Sequence, residues 1–519
     1  MPAIDLRLGI DVGGTHTDAV VVDRDDRLVA KAKVATSRDV MGGVAAAIAA
    51  ASDALGDERS RISHVMLGTT HVTNAMLQRR DLRRVAVLRI GGPATRSVPP
   101  LSTWPSDLRN AVVAGSAVVD GGVELDGSEI AAFDADATAR FFASVAGAVD
   151  GVAITSVFAA VSARHELAAA EIARDVLGDV HVSLSRDIGA IGLIERENAT
   201  VLNAALVGLA EQIAEALTDA LAAHDLDPAR FLAQNDGTLM SLEHALRHPV
   251  LTIGCGPANS MRGAAHLAGA TDALVADVGG TSTEIGALVG GFPCESNDVI
   301  GVGGVRTNFR MPAVVALAVG GGTVLTDGER EVRVGPDSVG YALERSALVF
   351  GGATATLTDA AVGAGRADIG DERRLRDRPE LLRRAIERSD LLLADAVDRA
   401  KMVRGEPPLI VVGGASFLVP DDLPGVGSVQ RPEHYEVANA FGAAIAQVSG
   451  QVDRIVRFGA AGRSSALEKA REAAHAQAVR AGADPNRTEV VEFEEIPLAY
   501  LPDPAVRVRV RAVGPLGTA

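Results

Sequence analysis

The chain has 519 residues, with 50 Lys and Arg against 67 Asp and Glu for a formal net charge of −17, and 47% of it is hydrophobic. That length exceeds the roughly 250 to 300 residues at which one core stops growing, so at least two domains are expected, and the aliphatic content excludes a disordered chain. The acidic balance argues against a nucleic-acid partner, which needs a dense basic patch. With no signal-peptide pattern and no apolar run of bilayer length read from the sequence, a cytoplasmic protein away from the membrane is expected.

In chain order, LRLGIDV and DAVVVD flank the turn GGTHT, and LVAKAKVAT follows as a third strand, because β-branched runs bounded by glycine are strand signals. An alanine-rich helix is predicted over Val44 to Leu55, then a strand around HVMLG, a helix around Thr73 to Arg80 and the strand RVAVLRI, together a mixed sheet covered by helices. Helical pattern dominates from Glu195 through Ala223. The opening order then begins again with ALVADVGG, a turn at Thr281 to Thr283 and EIGALVGG, an internal duplication of one fold. Solvated amphipathic helix is expected from about Asp371 to Arg404, a buried strand in PPLIVVGGAS, a helix through VANAFGAAIAQVSG and another from Ser464 to Arg480. TEVVEFEEI and AVRVRVRAV alternate like half-exposed strands around a turn at LAYLPDP. The expected domains are 1–195, 196–455 and a small α+β appendage at 456–519.

The chemistry concentrates in two corners. DVGGTHTD contains Asp11, Gly13, Gly14, Thr15, Thr17 and Asp18, and DVGGTSTE contains Asp277, Gly279, Gly280, Thr281, Thr283 and Glu284. Paired glycines let a phosphate approach the backbone and expose N–H donors, threonine hydroxyls add donors, and Asp11 and Asp277 suit a hard cation such as Mg²⁺. A dinucleotide fingerprint opens a helix and a P-loop ends in Lys then Ser or Thr; here the glycines lead into a second strand, so neither applies. A plain hairpin turn explains one such corner, but it does not require the same acids and threonines twice.

Thr69, Thr70, His71, Thr73 and Asn74 cluster between a strand and a helix, within reach of substrate or a γ-phosphate, although Thr73 or Asn74 could equally cap the helix. Arg306, Asn308 and Arg310 offer forks for a carboxylate or phosphate, with the pinning of neighbouring loops as the other reading. Arg196, Glu197 and Asn203 read as structural. Cys255 and Cys294, the only cysteines, are expected as reduced thiols, with a nucleophilic Cys255 as the minor alternative. No CxxC or HExxH spacing supports a zinc site.

The twin corners resemble the actin, sugar kinase and Hsp70 superfamily, in which two similar RNase H-like domains clamp ATP between two phosphate loops. LGIDVGGTHTDAVVVD, LGTTHVTNAMLQRR, IGLIERENATVLNAAL, CGPANSMRGAA, ADVGGTSTEIG, GGVRTNFRMP, VVGGAS and NAFGAAIA, in this order, narrow the resemblance to the A subunit of the hydantoinase/oxoprolinase family, in its shorter form. The resemblance implies an α/β fold of two duplicated RNase H-like domains with an interdomain nucleotide cleft, using ATP and Mg²⁺. Gly13, Gly14, Thr15, Gly279, Gly280 and Thr281 would then meet phosphates, and Gly413, Gly414 and Ser416 would pack on adenosine. Gly320, Gly321 and Gly322 would line the same cleft unless they form a plain turn. Asp11, Asp18, His71, Asp277 and Glu284 are the catalytic candidates. Many larger members carry HGTTVATNA where this chain has Leu67 in place of the first His and gains His71, and the second corner usually ends in Asp where Glu284 stands. The implied activity is ATP-dependent activation of an amide, imide or related carbonyl for hydrolysis of a cyclic amide, in an oligomer with a B-type partner subunit. A kinase acting on a hydroxyl and a non-catalytic nucleotide switch are the alternatives.

Overall fold

Strand-forming sequence at two places far apart in the chain folds into two sheets with one plan. The computed structural model describes residues 6–13, 16–35, 40–188, 191–296, 300–307, 309, 311–328, 331–402, 404–457, 462–498 and 505–517. Leu6–Val12, buried at every residue but Arg7, is the middle strand of a five-strand run in the first sheet. It pairs antiparallel with His16–Val22, which pairs antiparallel with Leu28–Ala35, and parallel with Ile62–Thr69, which pairs parallel with Ala229–Ala233. In the second sheet Ala273–Val278 takes the central place. It runs antiparallel to Thr283–Val289 and parallel to Pro408–Val412, with Val314–Leu317 beyond the former and Ser428–Gln430 beyond the latter. Order and direction repeat strand for strand, so the chain is an α/β protein of two duplicated RNase H-like units.

The strand RVAVLRI does not join the first sheet as the sequence suggested. Val85–Gly92 is buried along its whole length, and a strand covered on both faces belongs in a parallel sheet. It lies with Val113–Asp120, Gly151–Ser156 and His181–Leu184 in a separate four-stranded sheet whose pairings are all parallel. Leu193–Ala222 runs beneath it, starting two residues before the expected helix. By length and composition this is the one helix among the described residues that suffices to cross a membrane, and it is mostly buried in the core. The charges its first turns bury are hydrogen-bonded: Arg89 makes two 2.6 Å hydrogen bonds to the Glu197 carboxylate. Arg196 donates to Ser185 and to the Ser156 carbonyl, and Asn203 to Ser183 and the Arg247 carbonyl. These are structural contacts, as read.

The helix expected through VANAFGAAIAQVSG is shorter. Ala438–Ile445 is helical, but Val448–Arg457 is a strand, because ten consecutive residues pair with Ala505–Gly514 and Val448 also pairs with Leu239. Glu489–Pro497 closes that edge, and Gly462–Arg480 packs across it. The C-terminal strands therefore extend the first sheet across Leu239–Ser241, so sheet membership does not follow sequence order. Of the LAYLPDP turn, residues 499–504 lie outside the described residues.

Two helices lie between the sheets. Ala438–Ile445 packs on the first, where a side chain at Gly9 would collide with the Ala440 carbonyl, and Cys255–Ala268 packs on the second through Met261, which faces Gly286. The helices meet through glycine: a side chain at Gly263 would strike the Ala438 carbonyl, and one at Gly442 the Asn259 carbonyl. Small residues set this spacing because only they let helix backbones approach so closely.

Candidate nucleotide cleft

Each acidic corner is a hairpin with the same atomic wiring. In the first, Asp11 faces Asp18 across the pair and the Gly13 N–H donates to the His16 carbonyl at 3.0 Å. In the second, Asp277 faces Glu284 and the Gly279 N–H donates to the Ser282 carbonyl at 2.9 Å. Gly14 and Thr15, the tip of the first corner, lie outside the described residues. At the second tip Thr281 is exposed and Gly279 and Gly280 are half-buried. The threonines behind the tips turn inward: Thr17 is buried, and buried Thr283 donates to the Val319 carbonyl at 2.6 Å. Thr283 therefore anchors its corner instead of presenting a hydroxyl to a phosphate.

Around the second corner glycine permits close approach. The Gly321 and Gly322 N–H groups donate to the Gly279 and Gly280 carbonyls at 3.1 and 2.7 Å, and a side-chain carbon at Gly320 would lie 2.7 Å from Thr281 backbone atoms. Gly413 has φ +90°, and any side chain there would collide with the Asp277 carboxylate. Gly414 beside it is exposed, with nothing within 4 Å of where a side chain would begin, whereas Ser416 is buried.

The corners are close enough to feel each other's charge. Burial raises the Asp11 carboxyl well above the ordinary range, and Asp18 and Asp277 push it further. Burial also raises Asp277, with Asp18 adding to the effect while a hydrogen bond from the Ser260 hydroxyl opposes it. Glu284 is lifted to about 7 by burial and then by Asp277. Lys33, cross-strand neighbour of Asp18, bonds both of its carboxylate oxygens at 2.7 and 2.9 Å and lowers both Asp11 and Asp277. Sequence reading passed over Lys33, although the hairpin register places it opposite Asp18.

A divalent cation fits this donor set in one particular way. Among the described residues Oδ1 of Asp11 is buried without a hydrogen-bond partner, and the carboxylates offer the oxygen donors a hard ion prefers. No group of three His, Cys, Asp or Glu among the described residues is placed to hold a metal. Any ion here would therefore rely on phosphate oxygens and its own waters, with one carboxylate from each side.

Thr69 to Asn74 stands against the first corner. The Thr70 N–H and hydroxyl both donate to the Val12 carbonyl, and the Asn74 side chain reaches the Thr70 hydroxyl at 3.4 Å. His71 Nδ1 lies 2.6 Å from the Thr69 hydroxyl, and burial lowers its pKa to about 4, so it is uncharged at neutral pH. Cys255 is not a poised nucleophile. Burial pushes its thiol up to about 12, and it donates to the Thr69 carbonyl. Arg306 is 62% exposed and 3.7 Å from Glu195, while its backbone carbonyl accepts from Asn198. Asn308 and Arg310 lie outside the described residues. A cavity of about 1580 Å³ lies elsewhere, lined by His181, His244, His248 and Arg454 among others.

Residues 7–177 match the hydantoinase/oxoprolinase N-terminal region and residues 196–400 match the hydantoinase/oxoprolinase domain. The chain belongs to the hydantoinase/oxoprolinase family. Among curated relatives of this family member, caprolactamase subunit alpha of Pseudomonas jessenii is 27% identical over 68% of this chain and 53% of its own length. Acetophenone carboxylase gamma subunit of Aromatoleum aromaticum is 24% identical over 68% and 52%. The chain thus spans about half the length of the curated relatives it matches. Of solved structures, ATP-dependent caprolactamase from Pseudomonas jessenii superposes with a TM-score of 0.78 at 20% identity, covering 98% of this chain and 88% of its own. Nucleotide-free acetone carboxylase superposes at 0.73 with 17% identity, covering 99% and 88%. Both solved structures are described as ATP-dependent enzymes, a caprolactamase and an acetone carboxylase, and both share this fold.

Proposed function

We propose that this chain is the ATP-using component of an enzyme that phosphorylates the carbonyl oxygen of a cyclic amide or imide and so prepares it for hydrolysis. The observation that carries the reading is the pair of buried aspartates, Asp11 and Asp277, raised by burial and within each other's electrostatic reach, one from each duplicated corner. Gathering acids in one cleft is costly unless positive charge joins them, and Lys33 is the cation already beside them. In this reading Gly13, Gly14, Thr15, Gly279, Gly280 and Thr281 receive the phosphates, Gly320 to Gly322 back the second loop, and Gly413, Gly414 and Ser416 border the adenosine. Asp11 and Asp277 would hold magnesium through its waters, and the ion would offset charge on the transferring phosphoryl group.

The carbonyl oxygen forms a bond to the γ-phosphorus as the bond to ADP breaks, which makes the carbonyl carbon a better electrophile. Water then adds to that carbon, the ring nitrogen leaves with a proton, and a second water releases phosphate from the acyl phosphate. Glu284 at about 7 is half protonated near neutrality, which suits a group that takes and returns a proton. Thr69, Thr70, His71 and Asn74 face the first corner and would contact the substrate, and Arg306, Asn308 and Arg310 are proposed as further substrate residues. The chain works in the cytoplasm within an oligomer, and a partner subunit completes the hydrolysis, as the subunit names of both curated relatives suggest.

The test incubates purified chain with Mg-ATP and a panel of hydantoins, lactams, ketones and polyols, with and without the partner subunit, following phosphate and product. Substrate-dependent phosphate release with ring opening is expected. A stable phosphorylated polyol would instead establish a hydroxyl kinase, and nucleotide binding with no substrate-linked turnover a switch.

A further inference from the structure

The helix Cys255–Ala268 carries two adjacent polar residues whose side chains reach different corners. The Ser260 hydroxyl donates to Oδ2 of Asp277. Asn259 is fully buried, and among the described residues neither its amide nitrogen nor its amide oxygen has a hydrogen-bond partner. Its surroundings give its direction. A side-chain carbon added at Gly68 would lie 2.7 Å from Nδ2 of Asn259 and 3.1 Å from Oδ1 of Asp11, a buried oxygen that likewise has no partner among the described residues. Gly68 is also the residue paired with Asp11 in the parallel register. Hence the amide donor and the carboxylate acceptor flank one glycine, and any larger residue there would separate them. One turn earlier the same helix brings Gly256 beside Thr70 and Asn439, whose amide oxygen is likewise buried and unpartnered.

A buried amide with both atoms unsatisfied is costly, and a state that supplies its partner relieves that cost. An ionised Asp11 is the acceptor at hand, and the Asn259 amide is the donor that state lacks. We propose that Asn259 and Ser260 are positioning residues, the first orienting Asp11 and the second Asp277, so that one rigid helix fixes the spacing of the two carboxylates that receive the magnesium ion. The inference rests on the Mg-nucleotide reading of the cleft. It assigns to two side chains on one helix a coupling between the corners that neither hairpin can provide by itself. Groups that orient a metal's ligands typically change metal affinity 10–100-fold when removed.

The test compares wild type with Asn259→Leu, which keeps the branching and heavy-atom count of the side chain and removes the donor, and Ser260→Ala, which removes one hydroxyl. Calorimetry measures binding of a non-hydrolysable ATP analogue across a magnesium titration, and binding of ADP in EDTA, with thermal melting as the check on folding. Each variant is expected to raise the half-saturating magnesium concentration about tenfold while ADP affinity without metal stays within twofold. An unchanged magnesium requirement in both variants overturns the proposal, as does an equal loss of ADP affinity without metal, which would mark a merely structural role. If Asn259→Leu does not fold, Ser260→Ala decides by the same criteria. Wild type that binds no nucleotide at any magnesium concentration would remove the nucleotide reading itself, whereas normal wild-type binding with indifferent variants removes this inference alone.

Discussion

Glu284 shows at the scale of one residue how the second corner differs from the first. Burial raises Asp18, but Lys33 clasps it and opposes the rise, whereas burial and Asp277 lift the register-equivalent Glu284 to about 7 from the usual 4.5. Between those values the folded protein binds more protons than the unfolded chain, so this group's contribution to stability falls as pH rises from about 4.5 to 7. Glu284→Gln removes the titration. In metal-free buffer it is expected to unfold in urea at a higher midpoint than wild type at pH 8, by on the order of 2 kcal/mol, and to lose that advantage at pH 5. The same difference at both pH values would contradict the assignment. The acids at both corners were legible in the sequence because a glycine-rich turn fixes its neighbours locally. Asn259, Ser260 and Lys33 were passed over because each acts through a partner on another strand or helix. The small residues Gly256, Ser260 and Gly263, at helical spacing in CGPANSMRG, were the available signal for a close-packed helix between the lobes.

At the scale of elements, the crossing of Cys255–Ala268 with Ala438–Ile445 sets the distance between the sheets. Alanine normally stabilises a helix relative to glycine by about 1 kcal/mol, but at Gly442 its side chain would meet the Asn259 carbonyl and lie 2.9 Å from the Gly263 nitrogen. Backbone cannot yield as a flexible side chain does, so overpacking, typically 1–3 kcal/mol, should win. Gly442→Ala is expected to lower the melting temperature and to weaken nucleotide binding together. A variant as stable as wild type would show that the helices can part without consequence. The hairpins, the helix Val40–Leu55 and the helix Gly462–Arg480 were readable from periodicity within a few residues of their ends. The strand Val448–Arg457 was not, because what makes it a strand is pairing with Leu239 and with Ala505–Gly514. Its first residues, Val448 to Gly450, continue a run of small residues read as helix, and its β-branched Val452, Ile455 and Val456 lie beyond that run.

At the scale of the molecule, duplication explains why two corners separated by more than two hundred residues share one geometry, and why each lies at the end of the middle strand of the repeated five-strand run. Repetition was visible in the sequence, but the separate parallel sheet and the return of the C-terminus to the first sheet were not, since neither follows from any local run. The molecule works as a clamp only if its two halves act on the same ligand. The most direct measurement is therefore a double-mutant cycle on Mg-nucleotide affinity with Asp11→Ala, Asp277→Ala and the pair. If both carboxylates hold one hydrated ion, each single variant should lose most of the magnesium-dependent affinity and the double variant little more, a coupling above about 1 kcal/mol. Full affinity in either single variant, or losses that simply add, would contradict a shared site.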